Sequence, residues 1–187
     1  MSGPLPTATA FRAAMSHFAT GVTVVTTWWD ERPYGLTVSA FCAVSLDPLL
    51  VLVSLQRTSR TSALIAQSGI FAVNILAAEQ QAVAVRFASQ EERHAVLAEI
   101  PHQRGITGAP CLEEVLACVE CRVVASYPGG DHVLLLGQVA ALSTALSTAA
   151  EPAASGEPLL VYRAGYRRLH PVVTDGAGGG DSGEVKQ

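Results

Sequence analysis

The sequence predicts a mainly β fold: an antiparallel sheet closed into a barrel, with a few short helices around it. Three observations predict it. About six apolar, β-branched runs of strand length alternate with turn signals. Only two or three short segments carry helical periodicity. No G-x-G-x-x-G follows a strand, which argues against a nucleotide fold on a parallel sheet. Closure follows because an open sheet would leave edge strands ready to pair with other chains.

Taken in order, Phe11, Ala14, Met15 and Phe18 recur at helical spacing, and Gly21 can end the helix they define. His17 flanks its apolar face. From Gly21 the pattern turns to β, with strands over 22–29, 36–45 and 49–55 and turn signals at 30–35 and Asp47-Pro48. A helix is expected over 59–67, a strand over 70–76 and a second helix over 78–88. Residues 89–111 are polar, punctuated by Gly and Pro, and read as loop. Long strands over 115–127 and 132–142 flank Pro128-Gly129-Gly130-Asp131, a strong hairpin signal. An Ala/Ser/Pro-rich connection over 144–158 leads to a last apolar run at 159–162. The ends, 1–8 and 174–187, lack apolar periodicity and read as flexible tails, which leaves 9–173 as one domain.

Composition agrees with one domain. A chain of 187 residues buries roughly 70% of its unfolded surface and is short for two domains. Apolar residues make up 49% and charged ones 15%, so part of the apolar surface is expected in a subunit interface. The net charge is −4 and the 12 basic residues are scattered, so neither nucleic acid nor an anionic membrane is an expected partner. No apolar run approaches the roughly 20 residues that span a bilayer, and no signal-peptide pattern opens the chain. The expected compartment is the cytoplasm. There the four cysteines, Cys42, Cys111, Cys118 and Cys121, are expected as buried thiols rather than disulfides. Cys118 and Cys121 form a C-x-x-C within a strand, where positions three apart point to opposite faces, so no metal site is expected.

In the 36–45 strand one face reads Leu36, Val38, Ala40, Cys42, Val44 and belongs in a core. The other reads Thr37, Ser39, Phe41, Ala43, Ser45; it suits a flat heterocycle with polar edges, although periodicity by itself favours a solvated face. The segment from Ser54 to Ser62 gathers hydroxyls with Arg57 and Arg60 at a helix start. That chemistry favours a phosphate, and it equally describes a capped helix with solvated arginines. Arg86-Phe87 ends the second helix, where a cation is favourable in any case. Gly130-Asp131-His132 stands at the hairpin tip, and Tyr162-Arg163-Ala164-Gly165-Tyr166-Arg167-Arg168 offers aromatics and guanidiniums after the last strand. No catalytic triad, nucleophile elbow or metal-ligand cluster can be assembled. A site rich in hydroxyls and arginines but poor in acid–base groups suits a protein that positions a cofactor.

The segments FRAAMSHFATGVTVVTT, GLTVSAFCAVSLDPLLVLVSL, SRTSALIAQSGIFAVNIL, RFAS, GAPCLEEVLACVECRVVASYPGGDHVLLLGQV and PLLVYRAGYRRL run collinear from about Phe11 to Leu169. In that order they resemble the flavin reductase-like proteins, the reductase components of two-component flavin-dependent monooxygenases. The resemblance implies a six-stranded antiparallel Greek-key split barrel, a homodimer with flavin sites near the subunit interface, and hydride transfer from NADH or NADPH, NADH by family habit, to FMN or FAD. By position, Thr37, Val38, Ser39 and Ala40 would border the flavin ring, and Ser54, Leu55, Gln56, Ser59, Arg60 and Thr61 would hold its ribityl phosphate. Arg86 and Phe87 would complete the flavin site. His132, Tyr162, Arg163 and Ala164 would contact the nicotinamide nucleotide. A monooxygenase component would receive the reduced flavin.

The sequence departs from the pattern at Arg93-His94, at Ile100-Pro101 and in the bulky Trp28-Trp29, for which the resemblance supplies no function. An oxidase with tightly held FMN, or a non-catalytic flavin or haem binder, could occupy the same barrel. The intact Gly130-Asp131-His132 and Tyr162-Arg163 segments count against a mere binder.

Overall fold

Thr7 opens the first helix, α1 (Ala8–Met15), its hydroxyl accepting from Ala10 N at 3.2 Å. The expected N-terminal tail therefore gives way to structure at residue 7. The computed structural model describes residues 5–88, 93–144 and 156–169. The rest of the two expected tails, apart from residues 5 and 6, lies outside the described residues.

After the two-residue strand β1 (Thr20–Gly21) comes a hairpin of β2 (Thr23–Trp29) and β3 (Arg32–Val38). Its turn is Asp30-Glu31, at φ 49° and 58°, a two-residue primed turn that replaces the longer one expected. Then follow β4 (Phe41–Leu46), β5 (Leu49–Gln56), helix α2 (Arg60–Ser68), β6 (Ile70–Ile75), a 3-10 turn at Ala78–Gln80 and α3 (Gln81–Ala88). The stretch read as loop holds α4 (Arg93–Ala98) and a small hairpin, β7 (His102–Arg104) with β8 (Pro110–Leu112). Long-range contacts make it: Leu97 and Leu112 are buried in the core, and Leu112 N donates to the Oδ1 of buried Asn74 at 2.8 Å. The Asn74 amide in turn donates to Val24 O and Thr26 Oγ1 at 3.0 and 3.2 Å. The long hairpin β9 (Ala117–Gly129) and β10 (His132–Thr144) comes next, and β11 (Leu160–Tyr162) with the unforeseen β12 (Gly165–Arg167) ends the described chain.

The main sheet is antiparallel throughout, in the order β3-β2-β6-β9-β10-β5-β4. Its two margins, β3 and β4, are separated in the chain by Ser39 and Ala40 alone. Two neighbouring strands can occupy opposite margins only if the sheet rolls round until the margins meet, so the barrel is split along 38–41. Counted as one bent strand, β3 and β4 make the expected six. The bend overturns the alternation expected over 36–45: Phe41 packs toward the barrel interior, while Cys42 and Val44 are exposed.

Side chains from all round the sheet, among them Val25, Val53, Leu55, Phe71, Val73, Cys121 and Leu135, fill the barrel. A second core under α3, α4 and β8 holds Val24, Ala72, Phe87, Leu97, Leu112 and Cys118. Cys118 and Cys121 thus lie on opposite faces of β9, as expected of positions three apart. Trp28 carries the Arg104 guanidinium over its ring at 4.2 Å, with His102 at 6.5 Å, so it clamps the small hairpin to the barrel. Among the described residues no helix is long and apolar enough to cross a membrane.

Candidate functional site

A cavity of about 330 Å³ opens where the barrel is split. Its wall comes from Leu36 to Ala40 on one side, Ser54 to Gln56 on another, with Ala88 and His132. The structure therefore brings Thr37, Val38, Ser39, Ala40, Ser54, Leu55 and Gln56, expected around the flavin, onto one wall with His132, expected at the nicotinamide nucleotide. They contribute differently. Val38 and Leu55 send their side chains into the barrel interior, so they face the cavity with backbone. Thr37 commits its hydroxyl proton to Ala84 O at 2.6 Å, locking α3 against β3.

Arg86 and Phe87 do not face this cavity. Arg86 pairs with Glu99, and Phe87 is 0% exposed. On the last turn of α3 it is Ala88 that reaches the wall, while Phe87 points down into the core beneath Gly35. A Cβ on Gly35 would meet the Phe87 ring at 2.7 Å, so glycine is required for the ring to back β3 so closely.

The start of α2 adjoins the cavity through Ser59 N, which donates to Gln56 O at 3.0 Å. Ser59 is the N-cap, Arg60 lies over the Tyr34 ring at 5.4 Å, and buried Thr61 donates to Gly35 O at 3.5 Å. These three predicted residues stand beside the cavity and not on its wall.

His132 faces Gln56 across β10 and β5. Its Nδ1 lies 2.7 Å from Asp131 Oδ1, and this hydrogen bond, with the attraction between the two groups, lowers the Asp131 carboxyl from its ordinary range. An ionised carboxylate only accepts, so Nδ1 carries a proton. The tip is held from β5's end: Arg57 N donates to Asp131 O at 3.0 Å and its Nη1 to Gly130 O at 3.4 Å. Gly130, at φ 71°, makes this tight turn possible.

A larger cavity of about 820 Å³ shares Ser39, Ala40 and Ser54 with the first. Its wall is mainly apolar, with Met15, Phe18, Phe41, Leu52, Ile75 and Val161 among its members, and Ala164 reaches it from the β11–β12 turn. That turn is Arg163-Ala164, both left-handed at φ 49° and 57°. Arg163 Nη2 lies 3.1 Å from His17 Nε2, and Arg163 N donates to Ser16 O at 2.8 Å. Tyr162 stands edge-on to the His17 ring at 6.4 Å.

Sequence reading missed Ala88, the bracing role of Arg57 and the pairing of His17 with Arg163. No local signal marks them, because each depends on a segment distant in sequence. Cys118 and Cys121 supply no nucleophile. Cys118, 2.8 Å from Cys111 between sulfurs, is pushed up by that hydrogen bond and by burial, and Cys121 is pushed up to about 12 by burial and then by Glu120. Both stay protonated at neutral pH.

Residues 15–170 match the family model described as flavin reductase like domain. An NADH-dependent FMN reductase of Streptomyces nodosus subsp. asukaensis is 42% identical over 169 residues, 89% of this chain and 88% of the relative. The reductase subunit of a flavin-dependent monooxygenase of Mycobacterium tuberculosis is 38% identical over 164 residues, 88% and 83% of the two chains. The crystal structure of nitrilotriacetate monooxygenase component B from Mycobacterium thermoresistibile superposes with a TM-score of 0.80 at 35% identity, covering 95% of each chain. With the split barrel, its seam cavity and matches of this extent all agreeing, the chain belongs to the flavin reductase-like family.

Proposed function

We propose that the protein is an NADH:flavin oxidoreductase that reduces FMN or FAD and supplies the reduced flavin to a partner monooxygenase. The observation that carries this reading is the convergence of 37–40, 54–56 and His132 on one cavity at the barrel seam, in a chain similar along most of its length to NADH-dependent reductases. The residues fit a flavin. The cavity, with its larger neighbour, lies within the range of small-molecule sites, and exposed backbone at Ser39-Ala40 plus the Ser39 and Ser54 hydroxyls offers polar partners to the edge of a flat ring. Ser59, Arg60 and Thr61 at the start of α2 supply hydroxyl, guanidinium and helix N–H donors for the phosphate.

A flavin held here would supply the acceptor for a hydride from the nicotinamide ring. The chain's own work is orientation, by stacking two reactants that would otherwise meet by diffusion. Asp131 fixes the His132 ring at one end of the seam cavity, and Tyr162, Arg163 and Ala164 contact the dinucleotide beside the larger one. Arg86 and Phe87 act from behind the wall.

A homodimer is part of this reading. In the single chain α1 has no buried residue, and Phe11, Met15 and Phe18 stay exposed beside the larger cavity, a surface suited to a second copy. The cytoplasm, where NADH is held, is the compartment we assign.

Anaerobic stopped-flow with NADH and FMN or FAD tests the proposal. Rapid bleaching of the flavin that requires the protein is expected, and tight flavin binding without bleaching would overturn it.

A further inference from the structure

We propose that His17 is a positioning residue for the nicotinamide nucleotide, holding the Arg163 guanidinium beside the larger cavity through the lone pair on its Nε2. The inference rests on the reading of Arg163 as a nucleotide contact. The tautomer is settled by geometry. His17 Nδ1 lies 3.0 Å from Ala13 O, a carbonyl that only accepts, so Nδ1 carries the proton. Nε2 then holds the lone pair, and the group it meets at 3.1 Å is Nη2 of Arg163, which only donates. Both contacts require the same neutral ring.

The backbone supports the same assignment. Arg163 and Ala164 adopt left-handed φ values of 49° and 57° in a two-residue turn that Asn-Gly would form without strain. Side chains there are retained at a cost, and the turn is tied back to the end of α1 by the Arg163 N to Ser16 O bond of 2.8 Å. The guanidinium also lies 5.5 Å from the centre of the Tyr162 ring, so exposed His17 and Arg163 form one cluster with half-buried Tyr162. An exposed hydrogen bond of this kind adds little to stability. Its effect is to order a long side chain before the ligand arrives, using one of five guanidinium donors and leaving the ligand less to immobilise.

The test is NADH titration at saturating flavin on the full chain carrying His17→Ala, His17→Gln, Arg163→Ala and the double Ala change, with thermal melts of each. His17→Ala is expected to raise KM for NADH about two- to tenfold at nearly constant kcat. His17→Gln, which keeps an acceptor, recovers most of that rise. In the Arg163→Ala background, His17→Ala should add nothing, since the pair acts as a unit. An equal rise in both backgrounds, or no rise from His17→Ala where Arg163→Ala gives one, overturns the role of His17 alone. An unchanged KM in Arg163→Ala overturns the nucleotide reading of the turn itself. Should His17→Ala lower the melting midpoint, His17→Lys replaces it; a KM as low as that of His17→Gln would again overturn the proposal.

Discussion

The smaller and larger cavities meet at Ser39, Ala40 and Ser54, yet they are walled in different ways. The smaller is cut from the barrel itself, with β3, β5 and β10 around it and Phe87 packed behind β3. The larger takes about half its wall from the segment that runs from the end of α1 through β1, residues 15–21, and from Val161 and Ala164 of the β11–β12 hairpin, which lie outside the main sheet and are joined to each other by the Ser16–Arg163 and His17–Arg163 bonds. A recess shaped by strands in register is rigid before any ligand arrives. One walled in part by peripheral elements, with Met15 and Phe18 exposed on it, presents the apolar face that the proposed homodimer would cover.

Removing the support of the smaller cavity should have the largest effect. Phe87→Ala is expected to cost about 3–5 kcal/mol in urea unfolding and to weaken flavin binding as the wall behind Gly35 loosens. Flavin affinity unchanged in that variant would mean the wall does not depend on its backing. Next, Phe18→Asp sets a charge on the apolar surface just beyond the end of α1 and should weaken self-association about a hundredfold, read by sedimentation. A wild-type chain that sediments as a monomer would break the comparison on the larger side. His132→Ala sharpens it at the boundary: KM for NADH should rise roughly tenfold with flavin affinity nearly constant. A parallel loss of flavin affinity would mean that His132 serves the flavin as well as the nucleotide.

The smallest effect probes the barrel interior. Cys121, pushed up to about 12 by burial, keeps its proton in the folded chain while an unfolded thiol ionises at about 8.5. The unfolded state then binds fewer protons, so stability falls with rising pH between those values, by roughly a kilocalorie per mole for each pH unit. Cys121→Ala should flatten that slope, measured by unfolding at pH 8 and pH 10. An unchanged slope would mean that water reaches the sulfur.

Much of this was legible in the residues. Strand-length runs at 22–29, 49–55 and 70–76 and the Pro-Gly-Gly-Asp turn are local signals, and each became a strand or turn close to its expected bounds. The bend at Ser39-Ala40 was not, because alternation continues straight through it in the sequence and only the meeting of the sheet margins breaks it. Cys42 was misplaced into the core for the same reason. Arg86 and Phe87 show a different limit. A motif says that two residues belong near a site, but α3 turns the first toward Glu99 and the second into the core.

The seam has a consequence for how long the chain survives. A molecule seated in the smaller cavity touches β3 on one margin of the rolled sheet and β5 and β10 beside the other, stitching the two together. By mass action, free flavin at a hundred times its dissociation constant adds about 2.7 kcal/mol to the folded state. On the proposed reading of the site, opening along the seam would then become rarer, and with it attack by proteases on the opened form, so the lifetime of the protein would follow the supply of its own flavin.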